Sequence, residues 1–235
     1  MSPWTARRFW TSAIAVPCEG GYSVQLDTRP LRTPLKALLV VPTLGLAQEI
    51  AAEWQAQETT VRPDTMPFTR TANSAIDKVA PQVDSVAGML AAYGESDHLC
   101  YRAEGPQDLI DRQAAGWDPL LRWSAETLGA PLMVTSGIMP VPQPPASLAA
   151  LRGALDALDP FRLAACHDLV ALSGSLVLGL AVTRRRLDAE TAWNLSRIDE
   201  DWQIALWGRD EDAAEVAERK HAAFLHADRF YGLCG

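Results

Sequence analysis

The chain has 235 residues, enough for one large domain or two small ones. A hydrophobic share of 48% supplies a full core and excludes intrinsic disorder, and a net charge of −8 excludes the basic footprint of a nucleic-acid binder. Cys18, Cys100, Cys166 and Cys234 lie far apart with no paired spacing, which fits a reducing compartment rather than a disulfide framework. The opening MSPWTARRFW has no apolar run long enough for a signal peptide and is too short and aromatic for a transit peptide. A cytoplasmic protein, or a mature organellar form, is therefore expected.

Residues 8–41 read as β structure. RFWTSAIAV is followed by a turn at Glu19-Gly20-Gly21, and Tyr22 to Leu26 alternates with period two. Asp27 to Pro30 is a second turn and Leu38–Val41 a third short strand, with Pro34 at an edge or bend. Thr43 then caps a helix running to about Gln57, with Leu44, Ala47, Ile50, Ala51 and Trp54 on one face. Thr59–Pro67, which holds Pro63 and Pro67, is the best linker candidate.

Beyond it the helical signal dominates. Thr69–Val79 and Val83–Tyr93 are amphipathic, broken at Pro81 and ended by Gly94. Pro106 opens a helix over Gln107–Trp117 that Pro119 closes. Leu99–Tyr101 and Leu132–Thr135 predict two small strands, and Pro140, Pro142, Pro144 and Pro145 a rigid extended connection. Ser147 caps Leu148–Leu158, Asp188 caps Ala189–Trp207, Gly208 stops that helix, and Glu211–Phe230 forms the last one.

Phe161–Val182 is the most apolar stretch, predicted as one central helix started by Asp159-Pro160. A helix apolar all round is a core helix or a membrane span. Asp168 would cost about 2.5 to 3.5 kcal/mol at mid-membrane. Arg162, His167, Ser173 and Ser175 add to that cost, so the buried reading is preferred. Gly174 and Gly179 then let neighbouring helices approach.

Chemical signatures are few. Gly174 and Gly179 have the spacing of P-loop glycines, but Leu180 stands where lysine is needed, and no G-x-G-x-x-G occurs. Ser173 to Ser175 lacks the flanking glycines of a nucleophile elbow. His221 and His226, five apart, do not form an i, i+4 metal pair. A catalytic pairing of Cys166, or of Cys100, with His98 would have to be assembled in space, and buried cysteine is the ordinary alternative. Charge placement is more informative. Asp199 to Glu218 carries eight acids against Arg209 alone, a local −7 close to the net −8 of the whole chain. These acids flank Trp202 and Trp207, the residue type that anchors interfaces. Either they form a solvated face with helix-start stabilisation, or they form a docking surface for a basic partner.

SRIDEDWQIALWGRDED (Ser196–Asp212) resembles the C-terminal signature of the ATP synthase assembly chaperones that serve the alpha subunit of the catalytic sector. GGYSVQLDTRPLRTP (Gly20–Pro34), EWQAQ (Glu53–Gln57) and PDTMPFTRTANSAID (Pro63–Asp77) follow in that family's order. So do DHLCYRA (Asp97–Ala103), WDP (Trp117–Pro119) and GIMPVPQP (Gly137–Pro144), and blocks so long and collinear are specific. Thr28 replaces a usual glycine and Asp212 a usual glutamate. Mitochondrial members carry a presequence, so a bacterial relative is expected.

The resemblance implies an α+β fold: a small β-rich N-terminal domain with one helix, residues 1–62, followed by a larger, mostly helical orthogonal-bundle C-terminal domain, residues 63–235. It implies no catalysis and no cofactor or metal, but a holdase for unassembled ATP synthase alpha subunit that shields its interface and hands it to beta. Such a protein is expected to be monomeric when free, with no nucleic-acid partner and no membrane insertion. The partner-binding residues expected are Glu200, Asp201, Trp202, Trp207, Asp210, Glu211 and Asp212. Two other classes remain open, an enzyme with a spatially assembled Cys/His site and a subunit of some larger acidic assembly. Limited proteolysis should cut within Thr59–Pro67 or Pro140–Pro145 before Phe161–Val182; early cleavage in the latter would show that it is not core.

Overall fold

The computed structural model describes residues 7–235. It is an α+β protein in which the chain groups into two compact units. Of the described residues, the first takes 7–83, 159–165 and 229–235, and the second 84–158 and 166–228.

The first unit begins with β1 (Ala13–Cys18) and β2 (Gly21–Leu26), an antiparallel hairpin in register from Ala13↔Leu26 to Cys18↔Gly21. β3 (Arg29–Pro30) and β4 (Val40–Val41) both pair with β2. Gly21 is required by close approach, because a Cβ there would lie 2.4 Å from the Val41 carbonyl oxygen. In the β2–β3 turn the left-handed residue is Asp27, at φ 55°. Thr28 keeps an ordinary φ, so the position needs no glycine. Pro34 lies in a turn, as expected.

Helix α1 (Leu44–Gln55) starts as read: the Thr43 hydroxyl accepts the Leu46 N–H at 3.2 Å. Leu46, Ala47, Ile50 and Ala51 pack with Val24, Leu26, Leu39 and Val41 into one core. The boundary expected at residue 62 does not coincide with the division of the chain, for a local reason. Helix α2 (Pro67–Ser74) is capped from α1: the Glu53 carboxylate accepts the N–H groups of Phe68 and Thr69 at 2.6 and 2.7 Å, and the Thr69 hydroxyl at 2.7 Å. Burial nonetheless raises the Glu53 pKa, against the lowering effect of those bonds. After α2 the chain passes through a π turn (Ala75–Val79), where Asp77 accepts the Thr33 hydroxyl at 2.7 Å and the Leu35 N–H at 3.1 Å. Residues 63–79 thus belong with the sheet.

The remaining elements are α3 (Val83–Ala91), β5 (Tyr101–Arg102), α4 (Gln107–Leu128), β6 (Thr135–Ser136) and α5 (Pro145–Asp156). They are followed by α6 (Pro160–Ser173), α7 (Leu176–Thr183), α8 (Ala189–Ser196), α9 (Ile198–Trp207) and α10 (Glu211–Leu233). The two small strands pair in parallel, Tyr101 with Thr135.

Four helix expectations are corrected. First, α4 runs through Pro119, because the proline and Ala115, whose carbonyl it frees, are exposed to water while Trp117, Leu120 and Leu121 hold the buried face. Second, α5 starts at Pro145, and Ser147 lies within it, donating to the Pro131 carbonyl at 2.6 Å. Third, the stretch Ala189–Trp207 breaks at Arg197: Trp193 and Ile198 are both buried yet would point about 140° apart on one straight helix.

Fourth, Phe161–Val182 is two helices. Gly174 takes φ +70° after α6, and Ser175 caps α7 by accepting the Leu178 N–H at 3.0 Å. Gly179 does serve close approach, since a Cβ there would meet the Val170 side chain at 2.6 Å. Leu176 to Val182 is buried throughout, as expected of core, and among the described residues no helix is long and apolar enough to cross a membrane.

Asp97 holds this break. Fully buried, it accepts the Ser175 hydroxyl at 2.7 Å, the Val177 N–H at 3.0 Å and the Leu99 N–H at 3.1 Å. Desolvation raises its pKa above the ordinary 3.8, with the donors from Val177, Ser175 and Leu99 opposing. A raised acid stabilises the fold at low pH and loses that contribution as pH climbs from 3.8 through the folded value, because the unfolded carboxyl ionises first. Asp97→Asn turns an NH2 toward one of these donors and should cost about 1 to 3 kcal/mol. Thermal melts should show its deficit against wild type narrowing as pH rises above 3.8, and a widening deficit would contradict the assignment.

Candidate docking face

Within the second unit, α8, α9 and α10 contribute Ala189, Ala192, Trp193, Ile198, Phe224 and Ala227 to the core. Ile198 and Leu195 fill the space left by Gly116, where a Cβ would meet each at 2.9 Å. Trp117, wholly buried, donates its indole N–H to the Leu195 carbonyl at 2.8 Å. Gln113 is also buried, donating to Asp199 Oδ1 at 2.6 Å and accepting the Ala103 N–H at 2.9 Å. These contacts fix only the start of α9. Its second half and the first turns of α10 are exposed, joined by a turn at Gly208 with φ +90°.

The acids divide by what they already do. Asp199 is committed to Gln113, and Asp210 caps α10 by accepting the Ala213 N–H at 2.9 Å. Glu200 and Asp201 lie 3.9 and 3.8 Å from the Arg197 guanidinium, which stacks 5.6 Å over Trp193. Glu211 and Glu218 share Arg209 at 3.8 Å each, and Glu215 pairs with Arg219. Exposed pairs contribute little, and those of Glu200, Asp201, Glu211 and Glu218 are also long, so these four carboxylates remain available to a stronger cation. Asp212 takes part in no ion pair among the described residues.

The two tryptophans have different roles. Trp202 is half-buried against the core, whereas Trp207 is 79% exposed at the tip of α9. With Leu206, Trp207 edges a groove of about 470 Å³ whose other walls are Tyr101 to Pro106, Leu109 and the Gly137-Ile138 segment. Ile138, 91% exposed, extends this apolar rim, and its neighbour Met139 is also exposed. Ile138, Met139 and Tyr101 lie outside the docking residues expected from the sequence, in which Pro140 to Pro145 predicts only a rigid connection. The available signal was an apolar pair in GIMP lying outside any helical or strand period.

A catalytic cysteine needs a lowered pKa. Burial instead pushes the Cys100 and Cys166 thiols up to about 12, and likewise that of Cys234. His98 packs edge-on to Trp117 at 5.0 Å, and its buried Nε2 has no hydrogen-bond partner among the described residues. Neither cysteine is brought to it by any hydrogen bond in that set. His221 is taken by Glu190 at 2.9 Å and stacks on Trp193. No group of three or more His, Cys, Asp or Glu side chains suited to a metal occurs among the described residues.

The face therefore offers shape and charge rather than catalytic groups. The chain belongs to the ATP12 chaperone protein family, whose family model matches residues 7–125. It is 28% identical over 222 residues to the mitochondrial protein atp12 of Schizosaccharomyces pombe, covering 89% of this chain and 76% of that one. The crystal structure of Atp12 from Paracoccus denitrificans is 55% identical with a TM-score of 0.95, covering 98% of this chain and 99% of that one. An aspartate-to-lysine variant of the same protein superposes equally well, at 54% identity and 98% coverage of both chains.

The geometry separates stability from docking. Trp207→Ala should leave chemical denaturation within about 0.5 kcal/mol of wild type. Trp117→Ala, emptying a core position, should cost about 3 to 5 kcal/mol. Comparable losses for both would show that Trp207 is structural.

Proposed function

We propose that this protein captures the unassembled alpha subunit of the ATP synthase catalytic sector, shields its subunit interface and hands it to beta. The observation that carries this reading is the exposed apolar edge of Trp207, Leu206 and Ile138 beside acids that have only weak partners. Alpha and beta alternate in their ring, so each exposes wide, partly apolar surfaces before assembly, and such patches aggregate unless covered. An aromatic anchor supplies affinity, and surrounding carboxylates supply the association rate. Catalysis has no part in this reading: the raised thiols and the missing phosphate-binding motifs favour a passive holder. The cytoplasm of a bacterial host, or the matrix for a mitochondrial form, is the corresponding compartment.

Binding of purified alpha subunit tests it. Glu211→Lys should slow association about tenfold, and added salt should do the same to wild type, since exposed charges are screened within about 8 Å at physiological ionic strength. Trp207→Ala should raise the dissociation constant about thirtyfold, as loss of a 2 kcal/mol anchor requires. Unchanged capture by both variants, with unchanged melting, would sink the docking assignment.

A further inference from the structure

The first unit carries a groove of opposite character. Its walls are Trp10, Leu26, Leu31, Trp54 and Val61, and its volume is about 660 Å³. Trp10 and Trp54 meet edge-to-face at 5.1 Å. Arg7, Arg29 and Arg32 stand around the groove, and no acid among the described residues lines it. In a chain with 29 acids against 21 basic residues, three arginines around an apolar floor without one carboxylate is a pronounced local reversal.

The arginines have little internal employment. Among the described residues none of the three enters an ion pair. Arg29 lies 5.2 Å over the ring of Phe9, itself 59% exposed, and Arg32 donates one guanidinium N–H to the Lys36 carbonyl at 2.8 Å. Arg8 is the contrasting case: it lines a separate rim and is committed to the carbonyls of Trp10, Thr11, Gln55 and Gln57. Arg8 builds the unit, while Arg7, Arg29 and Arg32 have no carboxylate partner among the described residues.

We propose that this groove binds an extended acidic peptide segment of a partner protein, with a leucine or aromatic side chain on the tryptophan-lined floor and flanking carboxylates on the arginines. Charge complementarity selects this occupant. A guanidinium fork matches a carboxylate bidentately, and an apolar floor between such forks fits a hydrophobic side chain with acids on either side. A basic or purely apolar segment would leave the arginines unpaired. The protein then presents two binding surfaces of opposite charge, and this one does not depend on how the acidic face is read.

The probe is a fluorescein-labelled peptide Ser-Asp-Glu-Leu-Phe-Asp-Glu-Ser, titrated by fluorescence anisotropy against the full chain. Wild type should bind it, with affinity falling as salt rises, and should not bind the version carrying Lys in place of each acid. The double variant Arg29→Glu, Arg32→Glu should weaken binding at least tenfold. Both side chains are exposed, so melting should be unchanged; Arg32→Glu alone serves as the second variant if the double one folds poorly. Glu211→Lys should leave peptide binding intact, so loss of alpha-subunit capture and loss of peptide binding are read separately. Equal binding by wild type and the arginine variants, or none by wild type, overturns the proposal. Self-association of wild type that the arginine variants abolish would make a second copy the occupant and overturn it equally.

Discussion

Each unit depends on one carboxylate that starts a helix from outside it, fully buried in Asp97 and half-buried in Glu53. In the second unit Asp97 takes three donors and holds the α6–α7 break open. In the first, Glu53 takes three donors and ties α2 to α1. The first N–H groups of a helix have no internal partner, and a carboxylate meets that need while gaining from the helix dipole. Both acids are raised in pKa, so desolvation outweighs their hydrogen bonds in each case. Removing either carboxylate would strand several buried donors at once, which makes these positions costlier than their single residues suggest.

The Asp97 arrangement also bears on the candidate docking face. His98 donates its backbone N–H to the Gly174 carbonyl at 3.2 Å, and its ring abuts Trp117. Trp117 in turn holds Leu195 through its indole, and Arg102, stacked 5.2 Å over Trp117, reaches Asp118 at 2.7 Å. A chain of packed and hydrogen-bonded groups therefore fixes where α9 begins. Past Trp202 this support ends, and the exposed half of α9 is held by its own helical bonds and the Gly208 turn. Rigid root and uncovered tip is the form in which a surface can bind a partner without costing the fold its core.

Much of this was legible in the sequence, because the strongest signals are local. Turn glycines, the Thr43 and Asp188 caps and the period-two strand predicted elements that the structure contains. What failed was global. Gly174 and Pro119 have no fixed meaning in isolation: glycine can pack a helix or end one, and an exposed proline costs less than a buried one. Which applies was decided by Asp97, nearly eighty residues away from Ser175, and by the buried face around Trp117. The acidic cluster could be read from composition alone. That Asp199 is spent on Gln113 while Trp202 sits half-buried and Trp207 projects could not, since helix register on a core is a tertiary property.

The energetic consequence concerns release. On the proposed reading the protein is a passive holder, which has no hydrolysis step with which to reset its affinity. On the proposed reading, hand-over must run by competition: a subunit that buries more apolar surface on the same client displaces the chaperone by mass action. Such a mechanism requires a contact that is fast to form and not too slow to break. Exposed acids give speed through steering, and a single projecting tryptophan with two aliphatic neighbours gives limited depth. A large, wholly apolar face in place of the α9–α10 tip would hold the client more tightly, and would thereby oppose the exchange that assembly needs.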